Sequence, residues 1–173
     1  MAKIGLFFGS STGKTEAVAY QLKDEFDKRQ PGLVDVFNIG SSTPEQMMQY
    51  EYLIWGCPTW NTGQLQDDWE IFLPKIKAMN LTGKKLALFG LGDQNGYGFN
   101  FIDAIGMLAD AAMESGVQMW GLWKTESYQF EESKAQFEDL FMGLAIDDEG
   151  QQDMTSARLA KWVDQLISEF ALA

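Results

Sequence analysis

Short, strongly apolar runs alternate along this chain with segments that carry apolar residues at helical spacing, and that alternation restricts the fold more than any other feature. The runs are Lys3 to Phe8, Leu33 to Ile39, Tyr52 to Gly56, Lys85 to Leu91 and Val117 to Leu122. After the polar Gly9 to Lys14 turn, Ala17, Ala19, Leu22 and Phe26 fall on or near one helix face. Pro44 to Gln49 makes a short helix. A further helix carries Trp69, Phe72, Leu73 and Ile76, and Pro74 is expected to kink or break it. The next helix, Asn100 to Ser115, has Ile102, Ile105, Leu108, Ala109 and Ala112 at helical spacing and Gly116 placed to end it. Ser156 to Phe170 closes the series with Leu159, Trp162, Val163, Leu166 and Ile167 on one stripe.

Strands that are apolar throughout are buried on both faces, and right-handed crossovers lay helices over them. The expected fold is therefore α/β, a doubly wound five-stranded parallel sheet with helices on both faces. One stretch does not fit an ordinary connection: about twenty residues, Trp123 to Gly143, separate the fifth strand from Leu144-Ala145-Ile146. The stretch is expected to be an insertion that splits the fifth strand.

With 173 residues, of which 46% are hydrophobic, the chain has the size and content of one globular domain. Its apolar runs fall far short of the roughly 20 residues that span a bilayer. Met1-Ala2-Lys3 leads directly into a strand without a signal peptide, so a cytoplasmic protein with no membrane association is expected. Cys57 is the lone cysteine, which excludes an internal disulfide and suits a reducing compartment. No histidine is present, which removes Ser-His-Asp and Cys-His catalysis and the commonest metal ligand. Thirteen basic against twenty-five acidic residues give a formal charge of -12, which repels nucleic acid and anionic lipid and favours basic partner surfaces.

In a doubly wound sheet, ligands bind at the carboxyl ends of the strands where the strand order reverses, so the loops after strands one, three and four come first. The first is Gly9-Ser10-Ser11-Thr12-Gly13-Lys14-Thr15-Glu16. Its hydroxyls and backbone N–H groups meet a helix N-terminus, where the dipole favours an anion such as phosphate. Simple helix capping by Ser and Thr is the competing explanation for such a loop taken alone. A nucleotide triphosphate loop is excluded, because only three residues separate Gly9 from Gly13-Lys14-Thr15 where that motif needs four. The second loop is Pro58-Thr59-Trp60-Asn61-Thr62-Gly63, and the third runs from Gly90-Leu91-Gly92-Asp93 through Tyr97 to Asn100.

Together, in this order and at these separations, Gly-Ser-Ser-Thr-Gly-Lys-Thr, Cys-Pro-Thr-Trp-Asn and Gly-Leu-Gly-Asp-Gln with the following Tyr resemble the long-chain flavodoxins. The resemblance covers essentially the whole chain. It implies a low-potential one-electron carrier with non-covalently bound FMN and no catalytic side chain. Ser10, Ser11, Thr12, Gly13, Lys14 and Thr15 would surround the phosphate, with no cationic clamp required. Trp60 and Tyr97 would sandwich the isoalloxazine ring. Asp93 and the backbone of Leu91 and Gly92 would meet its pyrimidine edge, with Asn100 nearby. The carbonyl that swings to meet the protonated N5 of the neutral semiquinone would belong to Asn61, beside Thr62, with Gly63 easing the motion. Asp147 would be a neighbour of the cofactor, solvated charge being the alternative. The insertion marks the long-chain branch, although Asp139-Leu140-Phe141 replaces the family's Gly-Lys-Phe.

By the same resemblance the partners are basic-surfaced redox proteins such as ferredoxin-NADP reductase, photosystem I, nitrogenase or pyruvate oxidoreductase, met by a monomer. Asp67, Asp68 and Glu70 are placed to steer such partners or to complement a helix dipole. Cys57 is expected to be a buried, inert thiol. Two rivals share the fold: an FMN-dependent NAD(P)H:quinone or flavin reductase, and a flavin-free receiver domain. The receiver needs acids after strand one and an Asp after strand three, where this chain has Gly9-Ser10 and Cys57-Pro58.

Overall fold

A computed structural model describes residues 2–172. In chain order the elements are β1 (Ile4–Phe8), α1 (Lys14–Arg29), β2 (Val34–Asn38), α2 (Pro44–Met48), β3 (Tyr52–Trp60), β4 (Gln64–Leu65), α3 (Asp67–Ala78), β5 (Lys85–Gly92) and α4 (Asp103–Glu114). There follow β6 (Gln118–Trp120), β7 (Trp123–Lys124), β8 (Gln136–Phe137), β9 (Leu140–Phe141), β10 (Leu144–Asp147) and α5 (Thr155–Glu169).

The central sheet runs β10-β5-β3-β1-β2 with these strands parallel. Strand alternation sorts its side chains to two faces. Ile4, Leu6, Phe8, Ile54 and Phe89 pack against Val18, Leu22 and Phe26 of α1 and Leu159, Trp162 and Leu166 of α5. Phe7, Leu53, Trp55, Leu86 and Leu88 pack against Trp69, Phe72 and Ile76 of α3 and Ile105 and Leu108 of α4. Both faces are therefore covered, as the continuous apolar runs require.

The fifth strand is split as expected. β6 pairs with Lys85 to Ala87 of β5, and β10 pairs with Phe89 to Gly92 of the same strand. Between these halves the insertion folds into its own antiparallel sheet, β7-β9-β8, turning at Glu138, which has φ 56.

β3, α3 and α4 depart most from what was expected. β3 does not stop at Gly56 but continues to Trp60, because Cys57 and Pro58 pair with Gly90 and Leu91, and Thr59 and Trp60 form a hairpin with β4. α3 runs unbroken through Pro74. Pro74 and Glu70, whose carbonyl loses its helical partner, are both exposed, so the unpaired carbonyl is on the solvent side of the helix. α4 begins at Asp103 rather than Asn100. The insertion takes the Phe101 backbone: its N–H donates to the Glu132 carbonyl at 3.3 Å and its carbonyl accepts from the Ser133 hydroxyl. Ile102 then enters the helix at φ 47.

Candidate functional site

One open cavity of about 260 Å³ lies at the carboxyl ends of β1, β3 and β5, and all three expected loops reach it. Ser10, Ser11, Thr12, Lys14 and Thr15 come from the first, Pro58, Thr59 and Trp60 from the second, and Leu91, Gly92, Asp93, Tyr97 and Asn100 from the third.

The first loop is held from below and open above. The Gly9 N–H donates to the Gly56 carbonyl at 3.0 Å, joining the loop to β3. The Gly13 N–H donates to the Ser10 hydroxyl at 3.0 Å, and Gly13 has φ 89, a left-handed turn that favours glycine. No side chain caps the first turn of α1, so its N–H groups face the cavity side unclaimed by the chain. Ser10 takes the Gly13 N–H just ahead of the helix, but among the described residues no Ser or Thr side chain caps the first turn itself.

Among the described residues Lys14 is the one cation on the cavity wall, and it is engaged. Its Nζ lies 2.8 Å from Glu149 Oε1 and 3.6 Å from Asp148 Oδ2, and these partners raise its pKa. The first loop is thus tied to the turn after β10. Asp148 and Glu149 line the cavity.

Trp60 and Tyr97 stand on the same cavity, Trp60 half-buried and Tyr97 49% exposed, and neither ring stacks on another aromatic among the described residues. Asp93 closes the turn that carries Tyr97: its Oδ1 accepts from the N–H groups of Asn95 at 3.0 Å and Gly96 at 2.9 Å. The Asn100 amide donates to Asp103 Oδ2 at 3.1 Å, and the Thr59 hydroxyl accepts from the Ala104 N–H at 3.0 Å, which ties the second loop to the start of α4.

Some expected residues lie off the cavity wall. Asn61 and Thr62 form the exposed β3–β4 hairpin turn, with Asn61 at φ 50 and its amide donating to Gln64 Oε1 at 3.0 Å. Gly63 is buried at φ 92, and a Cβ there would come within 2.7 Å of Asp103 Oδ2. Asp147 is neither a wall residue nor solvated; it is fully buried beneath the wall. Its Oδ2 accepts from the Gln94 amide at 2.6 Å and its Oδ1 from the N–H groups of Glu149 at 3.0 Å and Gly150 at 2.8 Å. Cys57 is fully buried, its thiol pushed up to about 12 by desolvation, which leaves it protonated and inert. No group of acids and cysteine suited to a metal occurs among the described residues.

The flavodoxin family model matches residues 6–162. The chain is 46% identical over 172 residues to a flavodoxin of Synechococcus elongatus, covering 99% of this chain and 100% of the relative. It is 44% identical to flavodoxin 2 of Escherichia coli, over 97% and 96% of the two chains. The chain belongs to the flavodoxin family.

A crystal structure of Fusobacterium nucleatum flavodoxin bound to flavin mononucleotide superposes with a TM-score of 0.90 at 29% identity, covering 98% of this chain and 99% of that one. Flavodoxins are electron-transfer proteins with FMN as the family cofactor, and they pass electrons to redox partner proteins. This flavodoxin is accordingly an electron carrier and not an enzyme, and neither the reductase nor the receiver reading is favoured. No described helix is long and apolar enough to cross a membrane.

Sequence reasoning did not single out Gln66, Gln94 or Asp103, all buried polar residues that brace the three loops. Gln66 and Asp103 stand at the N-terminal ends of α3 and α4, so helix-boundary polar residues beside the motif loops were the available signal.

Proposed function

We propose that this chain carries single electrons at low potential on one FMN held in the β1–β3–β5 cavity, the whole chain acting as one domain. The observation that carries the proposal is the pairing, on one cavity, of an uncapped helix N-terminus behind a hydroxyl loop with two half-open aromatic rings. The helix end and hydroxyls suit a phosphate that needs no cation, because the nearby Lys14 is already occupied by Glu149. Trp60 and Tyr97, lacking aromatic partners of their own, suit a flat ring between them. Asp93 and the backbone of Leu91 and Gly92 would meet the ring's polar edge.

When bound, FMN supplies a ring that accepts and releases electrons singly. The protein's share is electrostatic. Asp93, Asp148 and Glu149 surround the site with negative charge, and no free cation stands on its wall among the described residues, so added negative charge on the ring is disfavoured. That holds full reduction at low potential. Asn61 and Gly63, both at positive φ in a hairpin turn, give the loop beside Trp60 a backbone able to present a carbonyl toward the ring. The partners we infer are basic-surfaced redox enzymes of the ferredoxin-NADP reductase, photosystem I, nitrogenase or pyruvate oxidoreductase kind, met by a cytoplasmic monomer whose charge of -12 assists encounter.

An anaerobic reductive titration of the purified protein tests this. Stepwise reduction should pass through an abundant one-electron stage absorbing at long wavelength before the flavin bleaches. Direct passage to the two-electron state would favour a reductase, and failure to bind FMN would overturn the proposal.

A further inference from the structure

Gln66 links two loops that are far apart in sequence. It caps α3: Oε1 accepts from the N–H groups of Asp68 at 3.1 Å and Trp69 at 3.4 Å. Those bonds fix which way the amide points, since only oxygen can accept there. The NH₂ group therefore faces away from the helix, and its two hydrogens go to Asp68 Oδ2 at 3.0 Å and to Ser11 Oγ at 3.2 Å. With a residue exposure of 2%, Gln66 has every polar position of its side chain used.

The contact with the first loop is built, not incidental. A Cβ at Gly9 would collide with Gln66 Oε1 and with Trp69, so the loop's opening glycine is what lets Gln66 lie beneath it. The Trp69 indole N–H donates to the Gly56 carbonyl at 2.7 Å, which also receives the Gly9 N–H. The base of the first loop, the end of β3 and the start of α3 thus share one hydrogen-bonded joint.

The polarity of that joint matters for the cavity. A hydroxyl that accepts a bond from Gln66 keeps its own hydrogen for another acceptor, and Ser11 donates to no group among the described residues while lining the cavity. We propose that Gln66 is a positioning residue for phosphate recognition: by donating to Ser11 Oγ it sets that hydroxyl as a donor toward the phosphate. This rests on the FMN reading above. It adds that the α3 N-terminus, which belongs to the Trp60 loop, sets the strength of the phosphate site on the other side of the cavity.

The test compares FMN with riboflavin, which has the same ring and no phosphate, by fluorescence quenching on the apoprotein. Gln66→Met and Ser11→Ala should each weaken FMN about tenfold, the loss of one hydrogen bond to a charged group, and leave riboflavin affinity unchanged. Once Gln66 is replaced, Ser11→Ala should cost little more. Should Gln66→Met fail to fold, Gln66→Glu keeps an acceptor for both cap N–H groups while losing the donor, and the same lack of additivity with Ser11→Ala is expected. Equal losses for FMN and riboflavin, or full additivity of the two substitutions, would overturn the inference. If the unaltered protein bound neither ligand, or both equally, the FMN reading itself would fail.

Discussion

The amide of Gln94 donates to the buried carboxylate of Asp147 at 2.6 Å, and the same side chain's oxygen accepts from the Gln129 N–H. Gln94 therefore joins the Tyr97 loop, the end of β10 and the insertion through one side chain. Asp147 has donors on both oxygens and no cation among its partners. Replacing it with Asn would aim an NH₂ group at N–H donors. Asp147→Asn is expected to cost about 1–3 kcal/mol, the penalty of buried unsatisfied polar groups, measured by urea unfolding of the apoprotein. A loss below 0.5 kcal/mol, on the order of an inconsequential surface change, would show that the turn relaxes around Asn.

Tyr128 ties the insertion to the sheet. Its hydroxyl donates to the Ala145 carbonyl at 2.6 Å and accepts from the Trp123 indole at 3.0 Å, while the Arg158 guanidinium lies 4.1 Å from its ring centroid. Burial pushes its pKa up to about 12, so its neutral form is favoured by folding. The stabilisation is complete below the ordinary value of 10 and is lost as pH rises through about 12. In a spectrophotometric titration, Tyr128 and Tyr50, whose pKa is raised by burial and by its bond to Asp35, should ionise only as the protein unfolds in strong alkali. Tyr128→Phe should reduce that late step by one tyrosine and lower stability by about 1–3 kcal/mol at neutral pH.

The Cys57 thiol, buried and pushed up to about 12, should resist a thiol reagent at pH 8 in the native protein and react fully in urea. Rapid native labelling at a rate independent of unfolding would contradict the buried position.

Lys14 and Glu149 form an exposed pair across the cavity rim, with side-chain exposures of 52% and 59%. Such pairs contribute at most about 1 kcal/mol and are screened by salt. Because the pair raises the Lys14 pKa, its contribution is present below the ordinary 10.5 and is lost as pH rises through the folded value. Lys14→Met should lower the unfolding midpoint slightly at low salt and not at 1 M salt. A large, salt-independent loss would mean that Lys14 does more than pair with Glu149.

Much of this was legible in the sequence, for identifiable reasons. Continuous apolar runs and helical spacing report burial directly, which is why the succession of strands and helices and the split fifth strand could be read before any coordinates, and the three loops followed from where such a sheet binds ligands. What depended on distant partners could not. Nothing local shows that Glu132 and Ser133 claim the Phe101 backbone and delay α4, or that β4 draws β3 on to Trp60. The burial of Asp147 was hidden because an Asp-Asp-Glu run reads as solvated charge, whereas its first member is the last residue of a buried strand. Gln66 was passed over because Gln is a rare N-cap, and only the approach of Gly9 reveals its second task.

The split of the fifth strand also bears on how copies of this protein meet one another. A long open sheet edge is a template for pairing with a neighbouring chain. Here one edge is divided between the three residues of β6 and the four of β10, with the folded insertion between them, and the opposite edge is the five-residue β2. The divided border offers no continuous ladder to a second sheet, and the other offers only the five residues of β2. A carrier that must collide with other proteins repeatedly and let go is thereby protected from the collision that would not reverse.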